Sequence, residues 1–144
     1  MPFEGRQRAA ALDRCWSIYL SLTSAFILPE EFHAEFSVAA ESVLITAALQ
    51  FTVSIGSDLT LSLREEYVFE RQRLTVNRYG YNVIDVTGNN VLRADNLPFH
   101  RTDYRRRLLQ HPPHHLHDER DRVHSFSGNF DEFIGRARTI LSSR

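Results

Sequence analysis

The sequence predicts an α+β domain: an antiparallel β-sheet of four to six strands with an N-terminal and a C-terminal helix packed on it. Three observations carry this expectation. Apolar residues recur every three or four positions near both ends of the chain. Between them, apolar and polar residues alternate with a period of two. The alternating runs are joined by short polar turns, as antiparallel hairpins require. A length of 144 residues, with 42% apolar and 24% charged residues, suits a single domain spanning 1–144 with one core.

The first helix runs from about Arg6 to Phe26, with Leu12, Cys15, Trp16, Tyr19, Leu22 and Phe26 on its expected apolar face. Pro29-Glu30-Glu31 ends it. Phe32 to Val38 reads equally as a short helix or an edge strand. Val43, Ile45, Ala47, Leu49, Phe51, Val53 and Ile55 then alternate with smaller or polar residues, which marks a strand with one apolar face. Gly56-Ser57-Asp58 turns the chain into a strand beginning at Leu59 and extended by Glu65 to Phe69. A second hairpin joins Leu74–Val86 to Val91–Ala94 through Thr87-Gly88-Asn89-Asn90. Residues 97–113, with Pro98, Pro112, Pro113 and four arginines, read as an exposed loop, and His115 to Phe126 as containing a short strand. Ser127 or Asn129 caps the last helix, which carries Phe130, Phe133, Ile134, Ala137 and Leu141 on one face and Asp131 and Glu132 in its first turn.

All 17 basic residues are arginine, and the formal net charge is -1. Arginine suits bidentate recognition of phosphate, although a GC-rich genome accounts for the missing lysine more simply. A lone Cys15 among apolar residues excludes an internal disulfide framework and a cysteine-rich zinc site. No signal-peptide pattern and no apolar run of membrane-spanning length is present, so the expectation is a cytoplasmic protein with no membrane partner.

The chemistry concentrates in one stretch. Five of the seven histidines, His100, His111, His114, His115 and His117, fall within 18 residues. Histidine exchanges protons near neutrality and is the commonest metal ligand. Four readings follow. In the first, His100, His115 and His117 supply acid–base groups for metal-independent RNA cleavage, with Arg93 or Arg101 holding the phosphate. On a strand, His115 and His117 share a face. In the second, the same histidines bind zinc or another transition metal, with His100 or Asp95 as third ligand. In the third, Phe99, Tyr104 and Arg105-Arg106-Arg107 bind a partner or nucleic acid without chemistry. In the fourth, the histidines are solvated or satisfied by backbone. Asp95-Asn96 makes a strand-ending turn, and Asp95 also stands where it could orient a histidine. Tyr79 and Tyr81 share one strand face, either packing in the sheet or stacking on bases.

The segments Tyr79-Gly80-Tyr81, Leu92-Arg93-Ala94-Asp95-Asn96-Leu97-Pro98-Phe99-His100 and His111-Pro112-Pro113-His114-His115-Leu116-His117 resemble the TumE-type toxin family of prokaryotic toxin–antitoxin systems. That family shows a Tyr-x-Tyr strand, an Arg-x-Asp-Asn-x-Pro-His-His stretch and a Pro-x-His-x-His motif ahead of a C-terminal helix. Arg93, Asp95, Asn96, Pro98 and His100 match the second motif; Pro113, His115 and His117 match the third. Phe99 stands where the family has the first histidine of its pair. The resemblance covers roughly the last two-thirds of the chain. It implies a small toxin neutralised by a cognate antitoxin, with RNA cleavage the activity suggested for the family; taken with the first histidine reading, the expectation is RNA as substrate and no cofactor or metal. On that reading His115 and His117 are acid and base, His100 assists, Arg93 holds the phosphate and Asp95 orients a histidine. Asn96, Arg101, Tyr79 and Tyr81 are the substrate-binding candidates, and His111 and His114 are loop residues.

Overall fold

The structure, a computed structural model, describes residues 5–41, 44–56, 58–71, 73–109 and 114–144. The chain forms α1 (Gly5–Ala25), then β1 (Ala34–Glu41), β2 (Leu44–Ser54), β3 (Leu59–Glu70), β4 (Arg73–Asp85) and β5 (Asn90–Asp95). It ends with β6 (His115–His117), β7 (Val123–Ser125) and α2 (Phe130–Ser142). The α+β class is as the sequence indicates. Among the described residues, however, the sheet has seven strands in the order β1 to β7, every neighbouring pair antiparallel. One strand takes it past the expected four to six. The ambiguous segment after α1 becomes edge strand β1, one of its two readings, and the region after His115 folds into two short strands rather than one.

Both helices lie on one sheet face. Leu61, Leu63, Tyr67, Tyr81 and Val83 point toward them and are at most 2% exposed. Tyr81 packs against Phe130 and Phe133 of α2. Asn129 caps α2 by accepting from the Asp131 amide at 2.7 Å. Ser21 of α1 donates to the Asp131 carboxylate and ties the two helices together.

The rotation of α1 differs from the sequence expectation. Its buried residues are Ala11, Ile18 and Leu22, while Leu12 and Trp16 are 69% and 61% exposed. The cause lies on β3. Glu65, whose alternation carries it to the core face, is fully buried there. A buried carboxylate needs a charge partner and several donors. Arg14 meets that need through Nε and Nη2, at 2.8 and 2.5 Å, and turns inward to do so. Tyr67 donates at 2.6 Å, and the Tyr81 hydroxyl donates as well. Burial, followed by the Glu65 charge, pushes both phenols well above their ordinary range.

Candidate active site

The chemistry lies on the other sheet face. β5 and β6 pair so that Arg93 stands opposite His117 and Asp95 opposite His115. Between them Ala94 and Leu116 point into the core, at 0% and 1% exposure. Alternation therefore sends Arg93, Asp95, His115 and His117 away from the helices.

A loop then folds over this face and brings His100 to the two strand histidines. The Asp95 carboxylate starts the loop by accepting from the Leu97 amide at 3.0 Å, an Asx turn. Farther on, the Tyr104 amide donates to the Val123 carbonyl at 2.7 Å, and Thr102 bridges Leu108. The three imidazoles form a nearly equilateral triangle with ring centroids 4.8, 5.0 and 5.1 Å apart. His115 and His117 are only 1% and 5% exposed.

Each strand histidine has a carboxylate at one nitrogen. His115 Nε2 lies 3.2 Å from Asp95 Oδ1. His117 Nδ1 lies 2.8 Å from Asp121 Oδ1, across the turn from β6 to β7, while its Nε2 lies 3.0 Å from Arg93 Nη2. Arginine can only donate, so His117 Nε2 accepts and its proton resides on Nδ1, donated to Asp121. Burial pulls the His117 imidazole below its ordinary 6.5. Arg93 and His115 lower it further, against an opposing pull from Asp121. The geometry thus presents a neutral imidazole whose lone pair is aimed at a guanidinium.

The sequence candidates divide. His100, His115, His117, Asp95 and Arg93 come together. Asn96 does structural work instead: its Oδ1 accepts from the Tyr79 amide and its Nδ2 donates to the Asn77 carbonyl, both at 3.0 Å. This side chain continues the ladder beyond Gly80 and Asp95, where β4–β5 pairing stops. Tyr79 and Tyr81 sit on the core face, 4% and 0% exposed, and so do not line the site. Arg101 is exposed, and its backbone carbonyl accepts from Leu109. His111 lies outside the described residues. His114 does more than fill a loop. Its Nδ1 meets the Tyr79 hydroxyl at 2.8 Å, and its ring packs so close to Gly128 (φ +82°) that a Cβ there would lie 2.7 Å away.

Two residues at the site were missed from sequence. Asp121 lies in the β6–β7 turn with φ 58°, a conformation Asp tolerates, and the acidic turn following a strand histidine was its available signal. Asn82 faces Arg93 across the β4–β5 ladder. The β4 alternation places it opposite Tyr81, but only the pairing register brings it beside Arg93.

The three histidines could also hold a metal. One nitrogen from each of His100, His115 and His117 lies within 4.8 Å of the others. A tetrahedral zinc site brings such nitrogens to about 3.4 Å from one another, so the rings would have to converge. Carboxylates on the outer nitrogens are what metal-bound histidines usually have. Against this, Arg93 places a positive guanidinium at the His117 nitrogen that would face the ion. Comparisons with protein-family models, curated proteins and solved structures find no match for this chain.

Proposed function

We propose that this protein is a metal-independent ribonuclease, the toxin of a toxin–antitoxin pair. The observation that carries the chemistry is the relay Asp121–His117–Arg93, with His115 and His100 in ring contact. His117 Nε2 takes the proton of a ribose 2′-hydroxyl, whose oxygen attacks the adjacent phosphorus. The phosphorus–O5′ bond breaks, and His115 returns a proton to the departing oxygen. The products are a 2′,3′-cyclic phosphate and a 5′-hydroxyl, with no net proton change. Arg93 stabilises charge on the phosphate, Asp95 positions His115, and His100 closes the site above both rings. The toxin role and the antitoxin partner rest on the motif resemblance, and the cytoplasmic setting on the sequence's lack of a signal-peptide pattern. Among the described residues no helix is long and apolar enough to cross a membrane.

Replacing His115 or His117 with alanine should lower RNA cleavage by about 10²–10⁴-fold and abolish growth inhibition with the fold retained. Unchanged toxicity in both variants overturns the reading. The convergence of three imidazoles supports a metal centre as the second reading. Elemental analysis of the purified protein, with cleavage measured before and after chelation, separates the two. Metal-independent cleavage survives chelation, and a metal centre predicts bound ion and lost activity. RNA binding without turnover would make the site a binding module.

A further inference from the structure

Among the described residues, two buried side-chain polar atoms have no hydrogen-bond partner: Asn82 Oδ1 and Arg93 Nε, the latter 3.8 Å from Asp95 Oδ2, an ion-pair distance too long for a hydrogen bond. They are not scattered, because Asn82 and Arg93 are cross-strand partners on the face that carries the histidines. Native interiors satisfy most such atoms, so a coincident pair of exceptions marks a place where something else supplies the bonds. Each residue also lines a cavity. Asn82 borders one of about 600 Å³ with Ser62, Arg64 and Gly80. Arg93 borders another of about 510 Å³ with His117 and Arg144, and the carboxylates of Asp85, Asp118, Glu119 and Asp121 also line it. Both volumes are in the range of ligand sites, roughly 300–1,000 Å³.

We infer that these cavities hold the two nucleotides flanking the bond that is cut, in a single-stranded RNA whose phosphate crosses Arg93. Asn82 reads the base on the sheet side. The inference rests on the ribonuclease reading above and names its substrate track. Three features favour it. The reaction centre is recessed under the loop bearing His100, where an unpaired strand can be splayed out and a stiff duplex cannot enter. The free acceptor on Asn82 suits a base N–H, and its amide nitrogen offers a donor beside it. Gly80 leaves the floor of the groove clear, with nothing within 4 Å of where its Cβ would be. Arg64, Arg93 and Arg144 line the two cavities alongside five carboxylates, Glu35, Asp85, Asp118, Glu119 and Asp121, so salt dependence should be shallow, a log–log slope of about −0.7 for each phosphate contacted.

The test uses a fluorescent 2′-O-methyl RNA strand, which lacks the attacking hydroxyl, with anisotropy to read binding. Gly80→Trp sets its Cβ in open space on the groove floor and should weaken binding on the order of tenfold or more. Asn82→Ala should weaken it by about three- to tenfold and raise KM for a cleavable strand while leaving kcat near wild type. Gly135→Trp, at an exposed site on α2 with equal room, should bind as wild type and control for the bulky ring. His117→Ala should cleave no RNA. If Gly80→Trp and Asn82→Ala bind like wild type, the track is wrong even where His117→Ala upholds the cleavage reading. If both lose binding but the wild type cuts no RNA, the track stands and the cleavage reading falls. A wild type that does not bind the strand overturns the track.

Discussion

Arg93 and His117 are cross-strand partners, and the arginine Nη2 lies 3.0 Å from the histidine Nε2. Two side chains that are both cationic at low pH are therefore held in contact while the histidine is neutral. Asp121, 83% exposed, anchors the other nitrogen from the turn. Asp121→Asn keeps an acceptor at that nitrogen but removes the charge that pulls the His117 pKa upward. The expected result is that the acid limb of the kcat/KM profile moves to lower pH with the fold unchanged. An acid limb that stays in place or moves up would remove His117 as the general base.

Burial depresses both His114 and His117 from their ordinary 6.5. The unfolded chain therefore takes up protons at a pH where the folded chain does not. Stability from these two groups is complete above their ordinary value and is lost as pH falls below it. Asp85 and Glu132, both held below the usual carboxylate range, add a further loss at lower pH. Denaturant midpoints should be level down to about neutrality and then fall toward about pH 5. A midpoint rising on acidification would contradict this.

Glu65 gathers Arg14, Tyr67 and Tyr81 under α1. Glu65→Ala leaves a largely buried guanidinium and two phenols without their acceptor, and should cost about 3–5 kcal/mol in urea unfolding. Replacing Glu65 and Arg14 together with leucine and methionine should recover most of that loss, because no unpaired charge remains. If the double variant were as unstable as the single one, the pair would not be what sets the rotation of α1.

Asn96 closes the ladder with one amide group, bonding Tyr79 N–H and Asn77 C=O. Asn96→Ala opens both backbone groups and should cost about 1–3 kcal/mol. RNA cleavage per folded molecule should fall much less than in His117→Ala. A loss of activity as deep as that of His117→Ala, at unchanged stability, would return Asn96 to the substrate-binding role that its motif suggests.

The sequence alone was enough to determine what depends on near neighbours along the chain. Period-two alternation set the hairpins from Leu44 to Asp95, Asn129 with Asp131 and Glu132 marked the start of α2, and the spacing of His115 and His117 placed them on one face. It misjudged the face of α1, because a helical wheel scores Arg14 as outward and cannot register a carboxylate buried 51 residues away. Only the tertiary structure decided the rest. Which loop covers β5 and β6, which acid anchors His117, and which asparagine meets Arg93 all depend on strand register and chain return. These are contacts between distant residues, and no local period encodes them. The same folding sent Tyr79 and Tyr81 to the core and His100 to the histidines, since a sheet has two faces and alternation alone does not say which one the loop will cover.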